Sequence, residues 1–162
     1  MRKIALSISE IKDIEKREFL RLGDSFKLME QAGEACAKQI IKIYKKNRFI
    51  VVCGPGNNGG DGLILSNILS ESGKEVDLYC VNKGSYTGDS LKAYKKNKLK
   101  KKSLDELNVN QDAVIVDALF GIGLNKKVEG IFKECVDKIN SSKLKVIAVD
   151  SPSGVYGDNG KV

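Results

Sequence analysis

Three aspartates carry most of the chemistry open to this chain. Asp61 lies in GPGNNGGDG, Asp117 ends AVIVD and Asp150 ends KVIAVD, each where an apolar run gives way to small residues. Oxygen-bearing side chains stand beside them: Asn57 and Asn58 before Asp61, and Ser153 after Asp150. A carboxyl group can donate a proton near neutral pH if burial or a neighbouring acid raises its pKa. The chain has no histidine, so a general acid or base must be a carboxylate, lysine, tyrosine or cysteine, and a His-based triad is excluded. Zinc is disfavoured on the same ground. Oxygen-only ligands select hard cations, and few charges favour a weakly held one.

The elements that must position these residues read as strands ending in loops. Phe49 to Val52 is a short apolar run without polar alternation, as in a strand covered on both faces of a parallel sheet. Glycines at 54, 56, 59, 60 and 62 then crowd a turn, where the backbone lies close to a ligand or, in a plainer reading, simply turns with Asp61 as N-cap. The spacing of Gly54, Gly56 and Gly59 fits a dinucleotide fingerprint formally, but Asp61 would repel a pyrophosphate at the helix start. The second strand also ends in Asn82 and Lys83 rather than an acid for ribose, and no Walker lysine closes the loop. Leu63 to Leu69 continues as a helix that stops near Gly73, and Val76 to Val81 is a second, parallel strand. Ala113 to Asp117 and Lys145 to Asp150 are a third and a fourth. Ligands of open α/β sheets bind outside the carboxyl ends of the strands, so the three acidic loops are expected to share one crevice.

Helices come first in the chain. Ser9 to Leu22 reads as amphipathic, with Ser9 as cap and Gly23 as stop, and Ser25 to about Lys46 as the longest helix. Met29 and Gly33 on the latter read as helix packing or as site lining. Gly84 to Ala93 reads as a turn into a helix capped by Asp89 or Ser90, and the lysine-rich run from Tyr94 to Lys102 as a solvated face. Ile11, Ile14 and Phe19 lack an obvious partner, which suggests a homodimer.

At 162 residues the chain reads as one α/β domain. Cys36, Cys53, Cys80 and Cys135 are widely spaced within apolar segments, as buried thiols of a reducing compartment would be, so the cytoplasm is expected. The start MRKIALSISEI has too short an apolar run for a secretory signal, and no stretch approaches about 18 apolar residues, so no membrane span is expected. A net charge of +7 would permit nucleic-acid contact, but the excess lysine is spread along helices.

GPGNNGGDG, DALFGIGL and DSPSG, in that order and after a helix containing LMEQAG, resemble the NAD(P)H-hydrate epimerases, the YjeF N-terminal domain family. The resemblance spans essentially residues 1–162 as a single domain of that type. It implies a doubly wound, Rossmann-like three-layer α/β/α fold with a mainly parallel sheet, preceded by N-terminal helices. It implies interconversion of the R and S forms of hydrated NADH and NADPH, a repair of damaged nicotinamide cofactors. Asn57, Asn58, Gly59, Gly60 and Asp61 would contact the hydrate, as would Gly121, Ile122, Gly123, Leu124, Asn125, Lys126 and Lys127, together with Asp150. A potassium ion would sit on Asn58, Asp117 and Ser153. In many members the domain is joined to an ADP-dependent dehydratase. Family domains usually continue through further strands beyond the point matched by Val162, and they tend to carry an apolar residue where this chain has Ser151.

If Asp117 holds a cation it stays ionised, and Asp61 at a helix N-terminus is favoured as the anion. Asp150, before a proline-rigidified turn, is then the acid expected to hold the catalytic proton. Two other classes stay open at this level. One is a non-catalytic ligand-binding or dimerisation module, including an RNA-associated scaffold, against which the three acids together argue. The other is a nucleotide-dependent transferase, which the missing Walker lysine disfavours.

Overall fold

A computed structural model describes residues 6–109 and 112–162. Met1 to Ala5, the start of the segment read above as lacking a secretory signal, lie outside the described residues. In chain order the elements are α1 (Ile8–Leu22), α2 (Ser25–Ile43), β1 (Arg48–Cys53), α3 (Asn57–Glu71), β2 (Glu75–Cys80), α4 (Gly88–Lys96), β3 (Lys101–Lys102), β4 (Val114–Ala118), α5 (Gly130–Ser141) and β5 (Lys145–Ala148). The sheet runs β3-β2-β1-β4-β5, and all four pairings are parallel.

The period of two along β1 divides the core. Phe49, Val51 and Cys53 face one side with Leu63, Leu65 and Leu69 of α3 and Ala37 and Ile40 of α2. Ile50 and Val52 face the other with Tyr79, Ile115, Leu119 and Cys135 and Ile139 of α5. Helices therefore cover both faces, the three-layer α/β/α arrangement expected, with a sheet that is wholly parallel among the described residues. No helix among the described residues is long and apolar enough to cross a membrane. All four cysteines are free, and Cys53, Cys80 and Cys135 are buried.

Several local expectations need correction. Ser7, not Ser9, caps α1: its hydroxyl accepts the Glu10 N–H at 3.3 Å and the Glu10 carboxylate accepts the Ser7 N–H at 2.7 Å. Helix α2 starts after Asp24, whose carboxylate accepts the Phe26 N–H, and stops at Ile43 rather than Lys46. Thr87 is the N-cap of α4, leaving Asp89 to pair with Lys92 at 2.8 Å and Ser90 to donate to the Pro55 carbonyl at 2.7 Å. The run from Tyr94 to Lys102 is not simply a solvated face. Asn97 is buried, donating to Leu63 O at 2.8 Å, and Lys101 and Lys102 form the edge strand β3. Its lysines protect that edge against pairing with other chains.

Candidate functional site

The loop after β1 is shorter than its glycines suggest. Helix α3 begins at Asn57, so Asn57 to Asp61 form its opening turns, and Asp61 is an interior helical residue rather than a cap. Gly56 is the N-cap and supplies no side-chain bond, which leaves the first N–H groups of α3 without a capping side chain. So early a start brings backbone against backbone: a Cβ on Gly59 would lie 1.7 Å from the Gly54 carbonyl oxygen.

Asp117, at the end of β4, is tied to the loop that follows β5. Its carboxylate accepts the Leu119 N–H at 3.1 Å, the Ser153 N–H at 3.0 Å and the Ser153 hydroxyl at 2.7 Å. Ser153 Oγ in turn accepts the Phe120 N–H at 3.0 Å. Two residues of the expected cation set are thus in direct contact. The third, Asn58, has both side-chain polar atoms buried without a hydrogen-bond partner. A buried, unpartnered carboxamide needs something to satisfy it. Side-chain oxygens of Asn58, Asp117 and Ser153 with a single formal charge fit a weakly held monovalent cation.

Asp150 lies two residues beyond β5, is exposed, and has a left-handed backbone with φ of 66°. Its Oδ2 accepts the Ile122 N–H at 2.7 Å and rests on Gly121, where a Cβ would come within 2.1 Å of it. The loop after β4 therefore reaches the crevice through Gly121 and Ile122 and turns there, with the Leu124 N–H donating to the Gly121 carbonyl at 3.1 Å. Asn125, Lys126 and Lys127 are exposed, and Lys127 lies 3.8 Å from Glu129 instead.

Asp61 is the acid whose surroundings favour the proton. Burial first, then the charges of Asp150 and Glu15, raise its pKa from the ordinary 3.8 to about 7. This runs against the expectation that a helix start holds Asp61 as the anion. A cavity of about 380 Å³ opens over Asp61 and Asn57, walled by Leu28, Met29 and Ala32 of α2 and by Lys12, Glu15 and Lys16 of α1. Met29 both packs and lines this cavity, while Gly33 serves contact between α2 and Ile64 of α3. A second cavity of about 230 Å³ lies between α5 and β5, with Asp117 and Ser153 in its wall. Sequence reasoning missed the charged residues of α1. The spacing of Lys12, Glu15 and Lys16, with the apolar Phe19, marks one helical face and could have shown them.

The family model of the YjeF-related protein N-terminus matches residues 25–162. The bifunctional NAD(P)H-hydrate repair enzyme Nnr of Thermofilum pendens is 36% identical over 168 residues, covering 96% of this chain and 32% of that protein. The NAD(P)H-hydrate epimerase of Elusimicrobium minutum is 38% identical over 83% of this chain and 67% of its own length. That of Lentilactobacillus buchneri is 32% identical over 98% of this chain and 76% of its own length. The chain spans about a third of the bifunctional relative and two thirds to three quarters of these two epimerases. The crystal structure of yeast ynu0 has the same fold, with a TM-score of 0.76 and 23% identity over 98% of this chain and 75% of that one.

Proposed function

The chain belongs to the family of YjeF-related protein N-termini, and on that premise we propose that it is an NAD(P)H-hydrate epimerase, interconverting the R and S forms of hydrated NADH and NADPH. The observation that supports this reading is that Asp61, early in α3 after β1, and Asp150, just after β5, lie close enough for the Asp150 charge to add to burial in raising the Asp61 pKa to about 7. Inversion follows either from loss and return of the ring hydroxyl on the other face or from opening and closure of the ring. By the first route, protonated Asp61 gives its proton to that hydroxyl, the C–O bond breaks as the ring nitrogen supplies an electron pair, and water departs. Water then re-adds and its proton passes to the carboxylate pair, so the reaction is a net isomerisation. Asp150, oriented by the Ile122 N–H, is the second carboxylate of the pair. The uncapped N–H groups at the start of α3 and the side chain of Asn57 position the hydrate.

A potassium ion would be held by Asn58, Asp117 and Ser153, supplying positive charge that offsets the acids and ties the loops after β1, β4 and β5 together. The unpartnered amide of Asn58 supports this. The likeness to a third of Nnr supports a place beside a dehydratase in a bifunctional repair enzyme, which the length of the native reading frame tests. A cytoplasmic location is supported by the four free thiols and is tested by cell fractionation.

Three ligands test the main reading by thermal unfolding. Hydrated NADPH at a hundredfold excess over its Kd raises Tm by ~5–10 °C, whereas ATP and RNA leave it unchanged. An RNA-only shift would sink the enzyme reading. Replacing potassium by tetramethylammonium weakens the hydrate-induced shift, and an unchanged shift removes the cation from the site.

Ile14, Phe19 and Leu20 of α1 are exposed, which supports a homodimer. Light scattering at micromolar concentration then reads twice the chain mass. A monomer at that concentration rejects it.

A further inference from the structure

Helix α1 spans the crevice. At its first turn the Ile8 side chain packs on Gly157, reaching within 2.6 Å of the position a Cβ would take there, and Ile122 lies 3.3 Å from the same point. Ile122 is the residue whose N–H holds Asp150. Two turns on, Lys12, Glu15, Lys16 and Phe19 line the cavity over Asn57 and Asp61. The face that closes the crevice is therefore apolar at both ends and charged in the middle, opposite the acids.

That pattern does not serve packing, because α1 buries no residue fully and its lysines contribute nothing to the core. Nor does it serve ion pairing. Among the described residues neither Lys12 nor Lys16 has a carboxylate within 4.0 Å, as holds for many of the other lysines, but these two are the lysines in the wall of the cavity over Asp61. Of the acids in the cavity wall, Asp89 is offset by Lys92, the pKa of Asp61 is raised to about 7, and Glu15 stands between the two lysines in sequence. Two lysines four residues apart have Cβ atoms ~5–6 Å apart on one helical face. Adjacent phosphates of one diphosphate can bridge such a pair.

We propose that Lys12 and Lys16 bind the diphosphate of the hydrated dinucleotide and so hold its nicotinamide end over Asp61 and Asp150. This rests on the epimerase reading. Both lysines lie ahead of the residues that the family model matches.

The test compares two substrates. The first is hydrated NADH, and the second is hydrated reduced nicotinamide riboside, which has the same ring and no phosphate. If the wild-type protein epimerises neither, the epimerase reading fails whatever the lysines do. If it epimerises the dinucleotide, the double variant Lys12→Gln, Lys16→Gln should raise KM for it by roughly 10- to 100-fold, the range of one hydrogen bond to a charged group. Its kcat should stay within about twofold, since a contact equal in ground and transition states acts on KM alone. For the riboside the variant and the wild type should have the same kinetics. Added salt should raise the wild-type KM for the dinucleotide and leave that of the variant flat. An unchanged KM for hydrated NADH overturns the proposal, and so does an equal loss with both substrates, which would mark a structural role for α1.

Discussion

Exchange of Asp61 for asparagine lowers catalysed epimerisation by about two to four orders of magnitude, the range for loss of a general acid. The amide keeps the size of the side chain but cannot give up a proton at the hydroxyl. In the wild type the basic limb of the rate profile falls as pH rises through about 7, where Asp61 loses its proton. Asp150→Asn lowers the rate by a similar order and also moves that limb to lower pH, because the Asp150 charge is one cause of the raised Asp61 pKa. The Asp61→Asn exchange acts in the opposite sense on stability. A carboxyl whose folded pKa is raised from 3.8 to about 7 favours the folded state fully below the unfolded value, and this contribution is lost as pH rises through the folded value. At pH 8 the buried carboxylate costs at most roughly 4 kcal/mol, and asparagine avoids that cost. Asp61→Asn should therefore melt higher than the wild type at pH 8 and show no such gain at pH 4. Chromatography of the two hydrates, corrected for spontaneous exchange, reads the first effect and calorimetry the second. Wild-type rates in the Asp61 variant would move the acid to Asp150, and equal melting at pH 8 would show that Asp61 is not held in a desolvated site.

The second large effect is structural. Gly59→Ala should cost several kcal/mol or prevent folding, since its Cβ would lie 1.7 Å from the Gly54 oxygen and 2.6 Å from the Gly54 carbonyl carbon. Both obstacles are backbone, fixed where Gly54 donates its N–H to Ala118 at 3.0 Å, so neither can yield like a side chain. Gly56→Ala, three residues earlier, meets nothing within 4 Å at an ordinary φ of −83° and should change stability by only a few tenths of a kcal/mol. Urea unfolding of the pair reads the difference. Similar midpoints for the two variants would mean that α3 can start later than Asn57.

Much of this was legible in the residues because the strands are apolar on both faces. Phe49 to Val52 and Ala113 to Asp117 could be little else, and the crossing of the chain between them followed from the parallel arrangement. Other parts were hidden for physical reasons. Lys101 and Lys102 form a two-residue strand whose pairing is set by β2, and no local pattern marks it. Helix α5 passed unread between the glycine loop and β5, although Cys135 and Ile139 stand four apart and pack on the sheet. The raised pKa of Asp61 could not be read locally, because its causes, burial first and then the charges of Asp150 and Glu15, depend on parts of the chain far from it in sequence. Reading Asp61 as a residue at the helix start, from the glycines around it, rather than as an interior residue of α3 also favoured the anion there. Glycine depresses helix propensity, but here close packing against Gly54 overrides it.

The link between Asp117 and Ser153 joins residues 36 positions apart, and it forms only after α5 and β5 are in place. Strand β5 is four residues long, pairs on one side only, and has its first two residues exposed, so this edge of the sheet is weakly held. Its local opening would release the Asp150 turn and the Ser153 loop together while β1, β2 and β4 stay paired. The catalytic arrangement then has its own opening free energy, smaller than that of the whole domain. On warming, activity would fade while most of the helical signal persists, and cooling would restore both without a full round of refolding.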